Sequence, residues 1–117
     1  MTLQELPTRT DGLPHYVMRV RLDGSDYVFT FRFGERREVW VFDLDTLAGV
    51  RVVTGKMVLA NGSDLLRGVV GDDRPPGTLF AWNVSLPTSG GEFALPGLYD
   101  LGGPDGRCRL YYLEAEA

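Results

Sequence analysis

Apolar and polar residues alternate through much of this chain, and between residues 27 and 44 the alternation is aromatic. Tyr27, Phe29, Phe31 and Phe33 fall at every second position. After the polar break Gly34-Glu35-Arg36-Arg37 the period resumes with Trp40, Phe42 and Leu44. Side chains of a strand point alternately to opposite faces, so this pattern predicts a hairpin with one aromatic face. Val28, Thr30, Arg32, Val39, Val41 and Asp43 make the opposite face, which is mixed in character.

The same period predicts the neighbouring elements. Residues 15–22 set Tyr16, Met18, Val20 and Leu22 on one face, and the turn Asp23-Gly24-Ser25-Asp26 joins them to the strand at 27–33. Further strands are expected over 38–45, over 50–53 and 56–60 with Gly55 between them, over 78–86 and over 107–114. Ser63-Asp64-Leu65-Leu66-Arg67 reads as a single helical turn capped by Ser63. Residues 68–77, 87–91 and 96–106, rich in Gly, Pro and Asp, read as loops.

Residues 1–14 are expected to form an extended N-terminal arm, because Pro7 and Pro14 disfavour helix before them and little beyond Leu3, Leu6 and Leu13 is apolar. Residues 15–117 then form a single β domain. The predicted fold class is all-β: a small barrel or sandwich of about seven short, mostly antiparallel strands with at most one short helix.

Composition narrows the chemistry. The 117 residues include 13 aromatics, 15 glycines and 7 prolines, with 44% hydrophobic and 24% charged. Those proportions suit one folded domain of short strands and turns. A net charge of −4 argues against general affinity for nucleic acid phosphates. The arginines are grouped all the same: Arg19, Arg21, Arg32, Arg36, Arg37, then Arg107 and Arg109. Singly these read as solvated strand residues; as a patch they suit a protein partner bearing carboxylates, which guanidinium holds in pairs. No stretch approaches the ~20 apolar residues of a membrane span. Residues 1–13 lack the apolar and cationic regions of an export signal, so synthesis and residence in a reducing cytosol are expected.

Catalytic chemistry finds few candidates. His15 is the only histidine and Cys108 the only cysteine, too few for zinc. A Cys–His dyad would need their strands to pair, and Cys108 alternates with Leu110 and Tyr112 on what reads as a core face. Asp43 with Asp45, and Asp23 with Asp26, could in principle bind calcium or serve acid catalysis. Strand-end and turn aspartates bonded to local backbone donors are the simpler reading. Asp72-Asp73 reads as solvated, and Gly102-Gly103-Pro104-Asp105-Gly106 precedes a strand rather than the helix a phosphate cradle requires. Phe80 and Trp82 share a strand face and could offer a stacking platform. No catalytic, cofactor or metal residue is assigned, and the chain is expected not to be an enzyme.

Several elements, taken in order, resemble the baseplate plug family of contractile-tailed phages of the cyanophage-type minimal myophage kind. These are the arm, the Leu22-Asp23-Gly24 turn, the aromatic strand at 27–33, the Trp40-Val41-Phe42-Asp43-Leu44 element, Gly55, Asp64-Leu65-Leu66, and the closing Cys108-Arg109-Leu110-Tyr111-Tyr112-Leu113-Glu114. The resemblance spans residues 22–114 and departs over 71–98, which is longer and richer in proline. It implies a virion protein of the tail baseplate, in contact with hub, spike and tube-end subunits, in multiple copies with three- or six-fold symmetry, without cofactor, nucleic acid or membrane. On that view residues 1–14, the Arg19/Arg21 face and residues 68–77 form interface, and Phe29, Phe31, Trp40 and Phe42 form scaffold. The alternative is a small carbohydrate-type ligand-binding β-barrel using the Trp82 strand.

Overall fold

The computed structural model describes residues 3–60, 62–84, 96–102 and 106–115. Seven strands run in chain order: β1 (Leu3–Glu5), β2 (His15–Leu22), β3 (Ser25–Gly34), β4 (Val39–Thr46), β5 (Arg51–Met57), β6 (Thr78–Asn83) and β7 (Cys108–Leu113). They form two antiparallel sheets, one ordered β1-β7-β6 and the other β2-β3-β4-β5. One cluster of buried side chains drawn from both sheets lies between them. The fold is therefore a sandwich, and the barrel form of the expectation does not hold.

The aromatic hairpin is the centre of this arrangement. Pairing of β3 with β4 sets Phe29 opposite Leu44, Phe31 opposite Phe42 and Phe33 opposite Trp40. Phe29, Phe31, Trp40 and Phe42 are fully buried. Each such burial contributes ~1.5–3 kcal/mol. Tyr16 stacks on Phe31 at 5.2 Å and meets Trp40 edge-on, so β2 extends the same ring layer. The Trp40 indole N–H donates to the Gly97 carbonyl at 2.9 Å, which satisfies its one polar atom.

Turn chemistry sets the register. Leu22 pairs with Ser25 across the two-residue turn Asp23-Gly24, whose φ angles are 51° and 81°. Two successive positive φ values match the twist of the flanking strands. At the other edge, the two strands expected at 50–53 and 56–60 are one, β5, running through Gly55. Gly55 has φ 61° and sits where the β4–β5 pairing shifts register, so the glycine makes a bulge rather than a break.

Three further expectations change. The helical turn at 63–67 is a hydrogen-bonded turn, and the described residues contain no α-helix. Its Asp64 carboxylate accepts from the Leu66 and Leu79 amides, tying the segment to β6, and four or five residues are too few to sustain a helix nucleus. The leading arm is extended but not free of the core. Leu3–Glu5 pairs with β7, the Leu6 amide donates to the Leu110 carbonyl at 2.8 Å, and the Leu6 side chain is 1% exposed. The strand expected over 78–86 ends at Asn83; its residues 85–86, the loop at 87–91, and residues 1–2 and 103–105 lie outside the described residues.

Candidate interaction surfaces

The outer face of the four-stranded sheet is built from the residues opposite the aromatic layer. Four arginines and three aspartates alternate across it. Arg19 and Arg21 of β2 both reach Asp26, at 3.1 and 3.7 Å. Arg32 of β3 bonds Asp43 of β4 at 2.9 Å, and Arg51 of β5 pairs with Asp45 and, at 3.8 Å, with Asp43. The inner part of this lattice is balanced. Its cationic surplus lies on β2, where one carboxylate serves two guanidiniums that are 62% and 69% exposed. Val17, on the same strand and face, is 64% exposed.

Asp43 explains why a mixed face carries a buried acid. Its carboxylate, on a residue 7% exposed, accepts from the Gly55 amide at 2.7 Å as well as from Arg32. It thus holds the bulge of β5 against β4, a local backbone staple of the kind strand-end aspartates make. Asp23 does similar work between the sheets, accepting from the Tyr112 hydroxyl and from the Ala115 amide at 3.2 Å. The Tyr112 hydroxyl in turn accepts from the Gly77 amide at 2.6 Å. Burial first, and then the hydrogen bond to Asp23, push the Tyr112 hydroxyl well above its ordinary value.

Residues 66–77 form a second surface, organised by a side chain that the hydrophobic pattern did not single out. The Arg74 guanidinium donates to the carbonyls of Leu66, Val69, Pro75 and Gly77, each at 3.0–3.1 Å. That four-way clasp presents Val70, 90% exposed, at the tip beside exposed Asp72 and Asp73. The available signal was an arginine beside a Pro-Pro pair in an otherwise acidic loop.

The outer face of the three-stranded sheet is aromatic. Phe80 of β6 stacks on Tyr111 of β7 at 5.5 Å, and Trp82 lies opposite Arg109. The Trp82 ring packs so closely on Gly62 that a Cβ there would collide with it. These rings are half-buried, and Leu3 beside them is 54% exposed. At one end of the sandwich, a cleft of about 500 Å³ is lined by Phe33, Arg37, Glu38, Gly97, Leu98, Asp100 and Arg107. Arg107 pairs with Asp100 at 2.7 Å, which holds the Asp100 carboxyl below its ordinary value.

The remaining candidates separate. His15 is exposed on the four-stranded sheet, whereas Cys108 is 2% exposed in the three-stranded one, so the strands of the supposed dyad do not pair. Burial pushes the Cys108 thiol up from 9.0 to about 11, which leaves it unreactive near neutrality. Arg109 was grouped with Arg107, but its guanidinium is largely buried and donates to the Gly102, Gly106 and Cys108 carbonyls while reaching Glu5. Among the described residues, no three His, Cys, Asp or Glu side chains gather as a metal site needs, and no helix is long and apolar enough to cross a membrane.

The described residues thus make a two-sheet β sandwich whose acids and phenols staple strands together and whose outward features are faces, a clasped loop and strand edges. Comparison with known proteins makes this specific. The family model described as cyanophage baseplate Pam3 plug gp18 matches residues 3–115, and the chain belongs to that family. No curated protein matches it. Membership makes it a structural protein of the phage virion's tail baseplate, working with other baseplate components.

Proposed function

We propose that this chain acts in the baseplate solely by binding neighbouring subunits, and that these are the hub, spike and tube-end proteins around the tail axis. It catalyses nothing and holds no cofactor, nucleic acid or membrane. Copies sit in a three- or six-fold arrangement, in keeping with the closed rings that head-to-tail contacts generate. The observation that carries this reading is the family match over residues 3–115, which includes both sheets and every strand described.

The physical character of the surfaces supports it. The Arg19/Arg21 strand and the Val70 loop tip are polar-rimmed, part-apolar features of the sort that dock on protein. Residues 3–14 contribute their outward groups, with Leu3 at 54% and Leu13 at 42% exposure, from a segment already tied to the fold. The test is to purify tails from phage carrying an epitope-tagged copy of this gene and to quantify the chain against the tube protein. Recovery at a fixed multiple of three copies per tail is expected. Absence from purified tails would overturn the proposal.

A further inference from the structure

The two sheets have four edges, and three are blunted. β1 is three residues long, and β5 is bent by its bulge at Gly55. The edge of β6 is covered by residues 62–65, whose Gly62 and Leu65 amides donate to the Ala81 and Leu79 carbonyls at 2.9 and 2.6 Å. β2 is different. It is eight residues long, alternates without interruption, pairs with β3 in continuous register, and contains no proline or glycine. Among the described residues no backbone hydrogen bond reaches its outer edge. A long regular edge left open is a template for another strand.

The turn fixes which groups that edge presents. In a two-residue hairpin the flanking pair, Leu22 and Ser25, exchanges hydrogen bonds, and narrow pairs then recur at every second residue. The Phe33 amide donating to the Pro14 carbonyl at 2.7 Å obeys the same register. The even-numbered residues of β2 therefore bond to β3. Val17, Arg19 and Arg21 turn their amides and carbonyls outward, and their side chains stand on the exposed face.

We propose that β2 receives an extended segment of another baseplate protein as an added antiparallel or parallel strand, and that this segment carries carboxylates opposite Arg19 and Arg21. Main-chain bonds supply the attachment and the side chains its selectivity. Opposite charges on facing strands attract and like charges repel. Antiparallel pairing of β2 with a second copy would put Arg19 and Arg21 of both copies on one ladder face, four guanidiniums against two Asp26 carboxylates. The arginines thus bar self-association and select an acidic partner.

This inference rests on the binding role proposed above, and the experiment separates the two. Full-length chain is supplied in trans to phage lacking the gene, and tails are assayed for its incorporation. Val17→Pro removes one outward amide without touching the β2–β3 ladder. Arg19→Glu with Arg21→Glu reverses the charge on side chains that carry no part of the core. Each is expected to lower incorporation by ~tenfold or more, with Arg19→Lys/Arg21→Lys near wild type. Should Val17→Pro misfold by circular dichroism, the charge variants decide.

In parallel, a short acetylated peptide alternating valine with aspartate is titrated against the isolated chain, beside the same peptide with lysine. Tighter binding of the aspartate peptide, lost in the charge-reversed variant, is expected. Normal incorporation of the edge and charge variants, or equal behaviour of the two peptides, overturns strand addition while the baseplate role stands. Wild-type chain missing from tails overturns both.

Discussion

Tyr112 shows how much of this fold hangs on single polar atoms. Its hydroxyl joins Gly77, at the head of β6, to Asp23, in the β2–β3 turn, and so links one sheet to the other. Tyr112→Phe takes the acceptor from the Gly77 amide and one of two donors from the Asp23 carboxylate, a loss of ~1–3 kcal/mol. Urea unfolding should show a midpoint lowered accordingly with an unchanged slope; an unchanged midpoint would mean the link contributes nothing. Cys108 makes a second prediction. With its thiol pushed to about 11, the folded chain should resist alkylation by iodoacetamide at pH 8 and react only after denaturation. Because the fold favours the neutral thiol, its contribution is complete below the ordinary value of 9.0 and is lost as pH rises to about 11. Tyr112, raised in the same direction, adds to that alkaline loss. The sequence identified Cys108 as a core residue from its alternation, but the partners of Tyr112, Asp23 and Arg74 are long-range or confined to loops, where no period reveals them.

Among the elements, legibility followed locality. The β2–β3–β4 meander is built from neighbours in sequence, and its alternation and buried face were readable, although the turn expected over residues 23–26 closes over Asp23-Gly24 and leaves Ser25 and Asp26 to β3. β5 was split in two because a glycine within a strand looks like a boundary, whereas here it bulges under the grip of Asp43. β1 was missed altogether. Three residues give no period, and their partner, β7, lies at the far end of the chain. The loop at 66–77 is the element whose order is most open to test. Arg74→Ala removes the donor shared by four carbonyls and so loosens the loop. Hydrogen exchange over 66–77 should accelerate by ~tenfold or more while amides of β3 and β4 keep their protection. Uniform acceleration throughout would show that Arg74 supports the whole fold instead.

Among the described residues, the four-stranded sheet turns its rings inward, while charges, the aromatic outer face of the three-stranded sheet, a clasped loop and the edge of β2 face out. The order of motifs along the chain carried the family, while the stacking of two separate sheets could not be read from it, because strand period is blind to which sheet a strand joins. The most direct test of the account is hydrogen exchange on the chain alone and within purified tails, resolved to single amides across β2. In the isolated chain Val17, Arg19 and Arg21 should exchange fast while Met18 and Val20, bonded to β3, exchange slowly. In assembled tails the three fast amides should become slow, by ~100-fold or more, as a partner strand takes up their hydrogen bonds. Amides of β2 that exchange equally fast in both states would contradict the account.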